Sequence, residues 1–106
     1  MCSQRRCPKV PEEIRRAADL LERRWSLTVL YACQSGASRF NDFVAACGRI
    51  PPGTLAARLA DLEEAGLLER RVAADARPPR VEYRLTEKGA ELRSLLAALD
   101  RFAGRA

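Results

Sequence analysis

The stretch RVAADARPPRVEYRL, residues 71–85, holds two alternating apolar/polar runs joined by a basic linker with two prolines. Val81, Tyr83 and Leu85 alternate with Glu82 and Arg84, and just upstream Leu68, Arg70 and Val72 alternate with Glu69 and Arg71. A period of two predicts a pair of strands, each laying one face on a core. The linker AADARPPR is too long for a two-residue hairpin turn, and its prolines restrict it to extended, exposed conformations. A hairpin with a cationic tip that projects from the body is the expected result.

Before Gly66 the period is that of a helix. From Pro11 to Trp25, the residues Ile14, Ala17, Ala18, Leu21 and Trp25 share one stripe, opposite Arg15, Arg16, Asp19, Glu22 and Arg23. Ser26 to Gln34 is apolar nearly all round, with Ser26 placed as an N-cap and Gly36 past the end, and reads as a central buried helix. Phe40, Phe43, Val44 and Cys47 repeat the helical spacing in a short third helix after Ser38, closed by Gly48. After IPPG, Leu55, Leu59 and Leu62 define a fourth helix that opens on prolines suited to a first turn and ends at Gly66. Residues 38–66 thus form a helix-turn-helix candidate. Beyond the hairpin, Thr86 can cap a last helix with Leu92, Leu95, Leu96, Leu99 and Phe102 on one stripe.

Composition narrows the function classes. A chain of 106 residues, 47% of them hydrophobic, suffices for one domain with a modest core, so a single domain over 1–106 is expected. No run reaches the roughly eighteen apolar residues of a membrane span, and MCSQRRCPKV lacks the apolar stretch of a signal peptide. A cytoplasmic protein with no membrane partner is the expectation. The net charge is +5, yet all but two of the 19 basic residues are arginine, which a GC-rich genome also produces. Position along the chain is therefore more informative than the count.

With no histidine, no Gly-rich phosphate loop and no paired-carboxylate pattern, the chain does not read as an enzyme and implies no cofactor. Glu63 and Glu64 read as the solvated end of a helix. Cys2, Cys7, Cys33 and Cys47 form no CxxC pair, so neither a structural metal nor a disulfide scaffold is expected.

The order of elements is that of a winged helix: a mainly α fold with a small β-hairpin, in which one helix enters the major groove and the hairpin lies along the DNA backbone. The wing spans 67–85, with Arg77 and Arg80 at its tip and Arg70, Arg71 and Arg84 along its strands. Its prolines lower the cost of ordering the loop on DNA.

The strings RRWSLTVL, SRFNDF, IPPGTLAARLADLEEAGLLERRV and PPRVEYRLTEKG, in this order and covering most of residues 7–95, resemble the HxlR-type branch of the MarR-like winged-helix regulators. The resemblance implies a dimeric bacterial DNA-binding regulator, usually of genes that handle electrophiles, aldehydes, quinones or other stress. Two positions depart from that pattern. Arg23 and Arg24 stand where the family has small residues before the tryptophan, and Gly53 stands where it often has a basic one. Opposite Leu55, Leu59 and Leu62, the fourth helix offers Gly53, Thr54, Ala57, Ala60 and Asp61, with Arg58 on the flank. Only Thr54 and Arg58 can bond a base edge or phosphate there, so methyl contacts such as that of Ala57, the wing and DNA shape are expected to carry much of the specificity. The candidate DNA-contact set is Arg39, Asn41, Thr54, Ala57, Arg58, Arg77 and Arg80.

The amphipathic helices at 11–25 and 86–103 suggest a homodimer joined through Ile14, Leu21, Leu92, Leu95, Leu96, Leu99 and Phe102, whose two heads would read a palindromic operator in double-stranded DNA. Residues 1–10 are expected to form a flexible arm. Within it, Cys7 lies between Arg5, Arg6 and Lys9, cations that favour the reactive thiolate. Cys7-Pro8 also matches an N-terminal CP motif that some family members use for sensing, so Cys7 is the candidate sensor of a small oxidant or electrophile. Cys33 and Cys47 fall on apolar stripes and read as core, with Cys47, at its helix end, as the candidate resolving thiol. Two alternatives stay open: a metalloregulator using thiol ligands only, and a winged helix used as a protein-interaction module. A repressor is the simpler expectation, because blocking a promoter needs no activation domain.

Overall fold

The computed structural model describes residues 8–105. Its order is α1 (Glu12–Glu22), α2 (Ser26–Gln34), α3 (Phe40–Ala46), α4 (Pro52–Glu64), β1 (Leu68–Ala73), β2 (Arg80–Leu85), α5 (Glu87–Ala90) and α6 (Arg93–Phe102). This is a winged helix-turn-helix, mainly α with one antiparallel hairpin.

The core forms where the apolar stripes predicted. Leu55, Leu59 and Leu62 of α4 are buried against Val29 and Leu30 of α2 and Phe43 of α3, and Leu67, Leu68 and Leu96 close the cluster. The all-round apolar character of α2 has a structural cause, since it packs against α1, α3, α4 and β2. Antiparallel pairing runs from Leu68 opposite Leu85 to Ala73 opposite Arg80.

Several expectations need correction. The first helix stops at Glu22, and Trp25, assigned to its stripe, adopts φ +79° as the residue preceding α2. A left-handed conformation is costly for a bulky residue, and here it turns the chain so that α2 enters the core while α1, with no buried residue, stays outside. Ser26, expected as the cap, is the first helical residue instead and is fully buried. Val72 is half-exposed, because only the base of the hairpin is covered by α2 and α4 and its outer half runs past them. The linker is not extended throughout: the Ala76 N–H bonds back to the Ala73 carbonyl and closes a turn at the tip.

The last helix is also divided. Thr86 caps it as expected, its hydroxyl accepting from the Gly89 N–H at 3.0 Å, but the chain breaks at Glu91–Leu92 before α6 begins. Leu96, expected at the dimer surface, turns into the protomer's own core, and Leu21 and Leu92 pack half-buried against it. Leu96 is the anchor that an amphipathic helix needs to dock on its own domain. A bond from the Tyr31 hydroxyl to Asp100, at 2.6 Å, holds the other end of α6 to α2.

Gly89 packs so closely that a Cβ there would run into the Leu67 carbonyl oxygen. Chemical denaturation should therefore show Gly89→Ala destabilised by roughly 1–3 kcal/mol through overpacking against backbone. Phe43→Ala, which empties the centre of the core, should lose about 3–5 kcal/mol.

Candidate nucleic-acid interface

The start of α3 is fixed by local polar bonds. Asp42, the third residue of the helix, accepts the backbone N–H groups of Ser38 at 3.1 Å and Arg39 at 3.0 Å. Both would otherwise lie unpaired at a helix N-terminus. These two bonds, that from Arg39 first, hold the Asp42 carboxyl below the usual aspartate range. The carbonyl of the same Ser38 accepts the Tyr83 N–H of β2 at 2.7 Å. The Tyr83 ring meets Phe43 edge to face, with centroids 6.2 Å apart. The wing is thus joined to α3 by backbone and side chain together.

That junction brings four of the expected DNA-contact residues to one place. Arg39 and Asn41 from α3 face Arg77 and Arg80 from the wing across an open cleft of about 530 Å³. Among the described residues Arg39 and Arg77 have no ion-pair partner, while Arg80 lies 3.9 Å from Glu82, a loose pairing. Two of the strand arginines are spent differently. Arg84 and Arg71 flank Glu69 at 3.2 and 3.5 Å, and the Arg84 hydrogen bond is the main reason the Glu69 carboxyl is held below its usual range.

Thr54, Ala57 and Arg58 lie on α4, outside the lining of the cleft. Gly53 and Ala57 are exposed and Thr54 is half-buried. Arg58 does not stand free: its Nε lies 3.3 Å from Asp61 Oδ2, without the alignment of a hydrogen bond. The Arg23 Nη1 approaches that same oxygen to 3.1 Å. Neither this three-residue cluster nor the bonds of Asp42 figured in the reading of the sequence. An acidic residue at the third helical position was a legible sign for Asp42, whereas nothing in the spacing of Arg23 and Asp61 marks them as neighbours.

Cys7 and Cys2 lie outside the described residues. Cys33 and Cys47 are buried, and burial pushes both thiols above their ordinary range. Such thiols are poor nucleophiles. Cys47 is therefore placed as a core residue and would need local opening to act as a resolving thiol. Among the described residues no group of His, Cys, Asp or Glu could hold a metal ion, and no helix is long and apolar enough to cross a membrane.

The family model described as HxlR-like helix-turn-helix matches residues 20–106. The chain belongs to the HxlR-like helix-turn-helix family. It is 32% identical over 97 residues to YvaP of Bacillus subtilis, an uncharacterized HTH-type transcriptional regulator, covering 92% of this chain and 85% of YvaP. The quinone-bound structure of YodB from B. subtilis superposes with a TM-score of 0.74 at 28% identity, covering 92% of this chain and all of that one. The redox regulator HypR in its oxidized form gives 0.80 at 29%, covering 89% of this chain and 96% of that one. Some relatives are longer, and the chain spans 64% and 54% of two of them. This HxlR-like chain is accordingly a DNA-binding transcriptional regulator and not an enzyme.

The clamp at α3 predicts a pH signature. A carboxyl whose folded pKa is depressed contributes stability that is present above its unfolded value, about 3.9, and lost as pH falls through the folded pKa. Asp42→Ala should melt below the unmodified chain at pH 7, and thermal scans should show the gap closing as the pH drops below about 4. A gap that persists undiminished at the acid end would show that the charge of Asp42 is not its source.

Proposed function

We propose that the chain is a homodimeric repressor that binds a palindromic operator through α4, the start of α3 and the wing, and leaves it when Cys7 is oxidised or alkylated by a small electrophile. The observation that carries the DNA-facing part is the cleft ringed by Arg39, Asn41, Arg77 and Arg80, which gathers mostly unpaired cations from the start of α3 and the wing. Guanidinium groups gathered in this way suit phosphate oxygens, whose contacts set register without reading bases.

Dimerisation is supported by apolar surface that the protomer leaves uncovered. Phe102 is 89% exposed, Ile14 56% and Leu95 44%, and they lie on the two terminal helices. These three, with Leu99, form the proposed interface, while Leu96 stays in the core. A two-fold pairing of such helices would place two reading heads about one turn of DNA apart. The thiol response is supported by the cationic setting of Cys7 in RRCPK and by relatives solved in quinone-bound and oxidized forms. Cys33 and Cys47 are too deeply buried to be the first site of attack.

Fluorescence anisotropy on a duplex enriched by the protein from a random-sequence pool tests this reading. Arg77→Ala and Arg80→Ala should each weaken binding to all sequences alike and lower the slope of log affinity against log salt by about 1. Quinone treatment should release the duplex from the unmodified chain, and Cys7→Ser should bind as well but ignore the quinone. Unchanged affinity and salt slope in both arginine variants would refute the wing contact, and a full quinone response in Cys7→Ser would refute the sensor.

A further inference from the structure

Arg58 is the only cation on α4, a helix whose first half otherwise exposes proline, glycine and alanine with a half-buried threonine, and whose last turn exposes Glu63 and Glu64. Its guanidinium is nevertheless drawn toward Asp61, one turn along the same helix. Paired alone, the two would cancel and leave α4 with only the negative charge of Glu63 and Glu64, and no positive charge to offer a phosphate or a guanine edge. The structure supplies a third member. Arg23, from the turn between α1 and α2, reaches across to the same carboxylate oxygen, so that Oδ2 of Asp61 lies 3.3 Å from Arg58 and 3.1 Å from Arg23. The cluster then carries a net positive charge.

Its members differ in exposure in a way that fits a fixed contact. The side chains of Arg58 and Asp61 are 20% and 24% exposed, and that of Arg23 is 48% exposed. Arg58 Nε is buried without a hydrogen bond, and Asp61 is the carboxylate that lies beside that edge of the guanidinium. The two Nη groups are not bound to Asp61. A planar fork drawn by charge along one edge is biased toward one orientation of the other, and orientation is what discriminating contact to a guanine edge requires. Arg24, next in the chain, lies over the Trp25 ring at 5.3 Å, which leaves Arg23 as the arginine of that turn directed at α4.

We propose that Asp61 is a positioning residue for DNA discrimination: its carboxylate orients Arg58 on α4, and Arg23 is the counter-charge that keeps the cluster positive toward DNA. This rests on the reading of α4 as the groove-entering helix. A purely structural ion pair of this exposure would contribute little to stability and nothing to sequence preference.

The test uses the full reduced chain and two duplexes, one enriched by the unmodified protein from a random-sequence pool and one scrambled version of equal composition. Asp61→Asn keeps the side-chain shape but releases both arginines. It should tighten binding to the scrambled duplex and lower the enriched-to-scrambled affinity ratio by about ten-fold, a change typical of one lost base contact. Asp61→Glu should recover part of the ratio. Arg23→Gln should weaken binding to both duplexes by a similar factor. In an Arg58→Ala background, Asp61→Asn should have no further effect on the ratio.

A ratio unchanged by Asp61→Asn, with Arg58→Ala still losing the enriched duplex, would overturn this inference and leave the DNA-facing role of α4 intact. If Arg58→Ala leaves binding to both duplexes unaltered, that role fails for Arg58 and the inference fails with it.

Discussion

One short hydrogen bond sets the geometry on which the rest depends, from the Tyr83 N–H of the wing to the Ser38 carbonyl at the mouth of α3. A two-stranded hairpin is marginal by itself in water, and this one exposes much of its outer half. It holds its place because its base is covered by α2 and α4, and because Tyr83 joins it to α3 through both backbone and ring. Ser38 is clamped from the other side by Asp42. The chain from Asp42 through Ser38 to Tyr83 is what lets Arg39 and Asn41 share a cleft with Arg77 and Arg80, residues about forty positions away in sequence.

Charge is distributed on this surface with little redundancy. Arg71 and Arg84 share the one carboxylate of Glu69, Arg70 has no ion-pair partner among the described residues, and Arg58 of α4 shares Asp61 with Arg23. Arg39 and Arg77, both at the cleft, have no ion-pair partner among the described residues. A net charge of +5 spread evenly would give attraction without register, whereas guanidinium groups gathered at one cleft can define one. The alanine-rich α4 presents few polar groups, so its shape and its one oriented arginine carry the reading proposed for it.

Much of this was legible in the sequence. The change of period after Gly66, the leucine stripe at 55, 59 and 62, and the Thr86 cap each correspond to a structural element because each reflects a local rule of backbone geometry. Errors came where a tertiary demand overrode the local pattern. Trp25 continues a helical stripe but must turn the chain, and Val72 continues a strand alternation beyond the reach of the core. Leu96 shares a stripe with Leu95 and Leu99, and periodicity cannot say which member of a stripe meets its own domain and which meets solvent. For the site, residue types and the basic tip were readable, while the pairs that join separate elements, Arg23 with Asp61 and Arg84 with Glu69, were not, since nothing local marks them as neighbours.

The most direct measurement of the central claim is amide hydrogen exchange of the full chain, alone and saturated with its enriched duplex. If α3, α4 and the wing form one DNA-facing surface, protection will rise together at the start of α3, along the first half of α4 and at the hairpin tip, and α6 will change little. Protection confined to α1 and α6, with the α3–wing cleft exchanging as in the free protein, would contradict it.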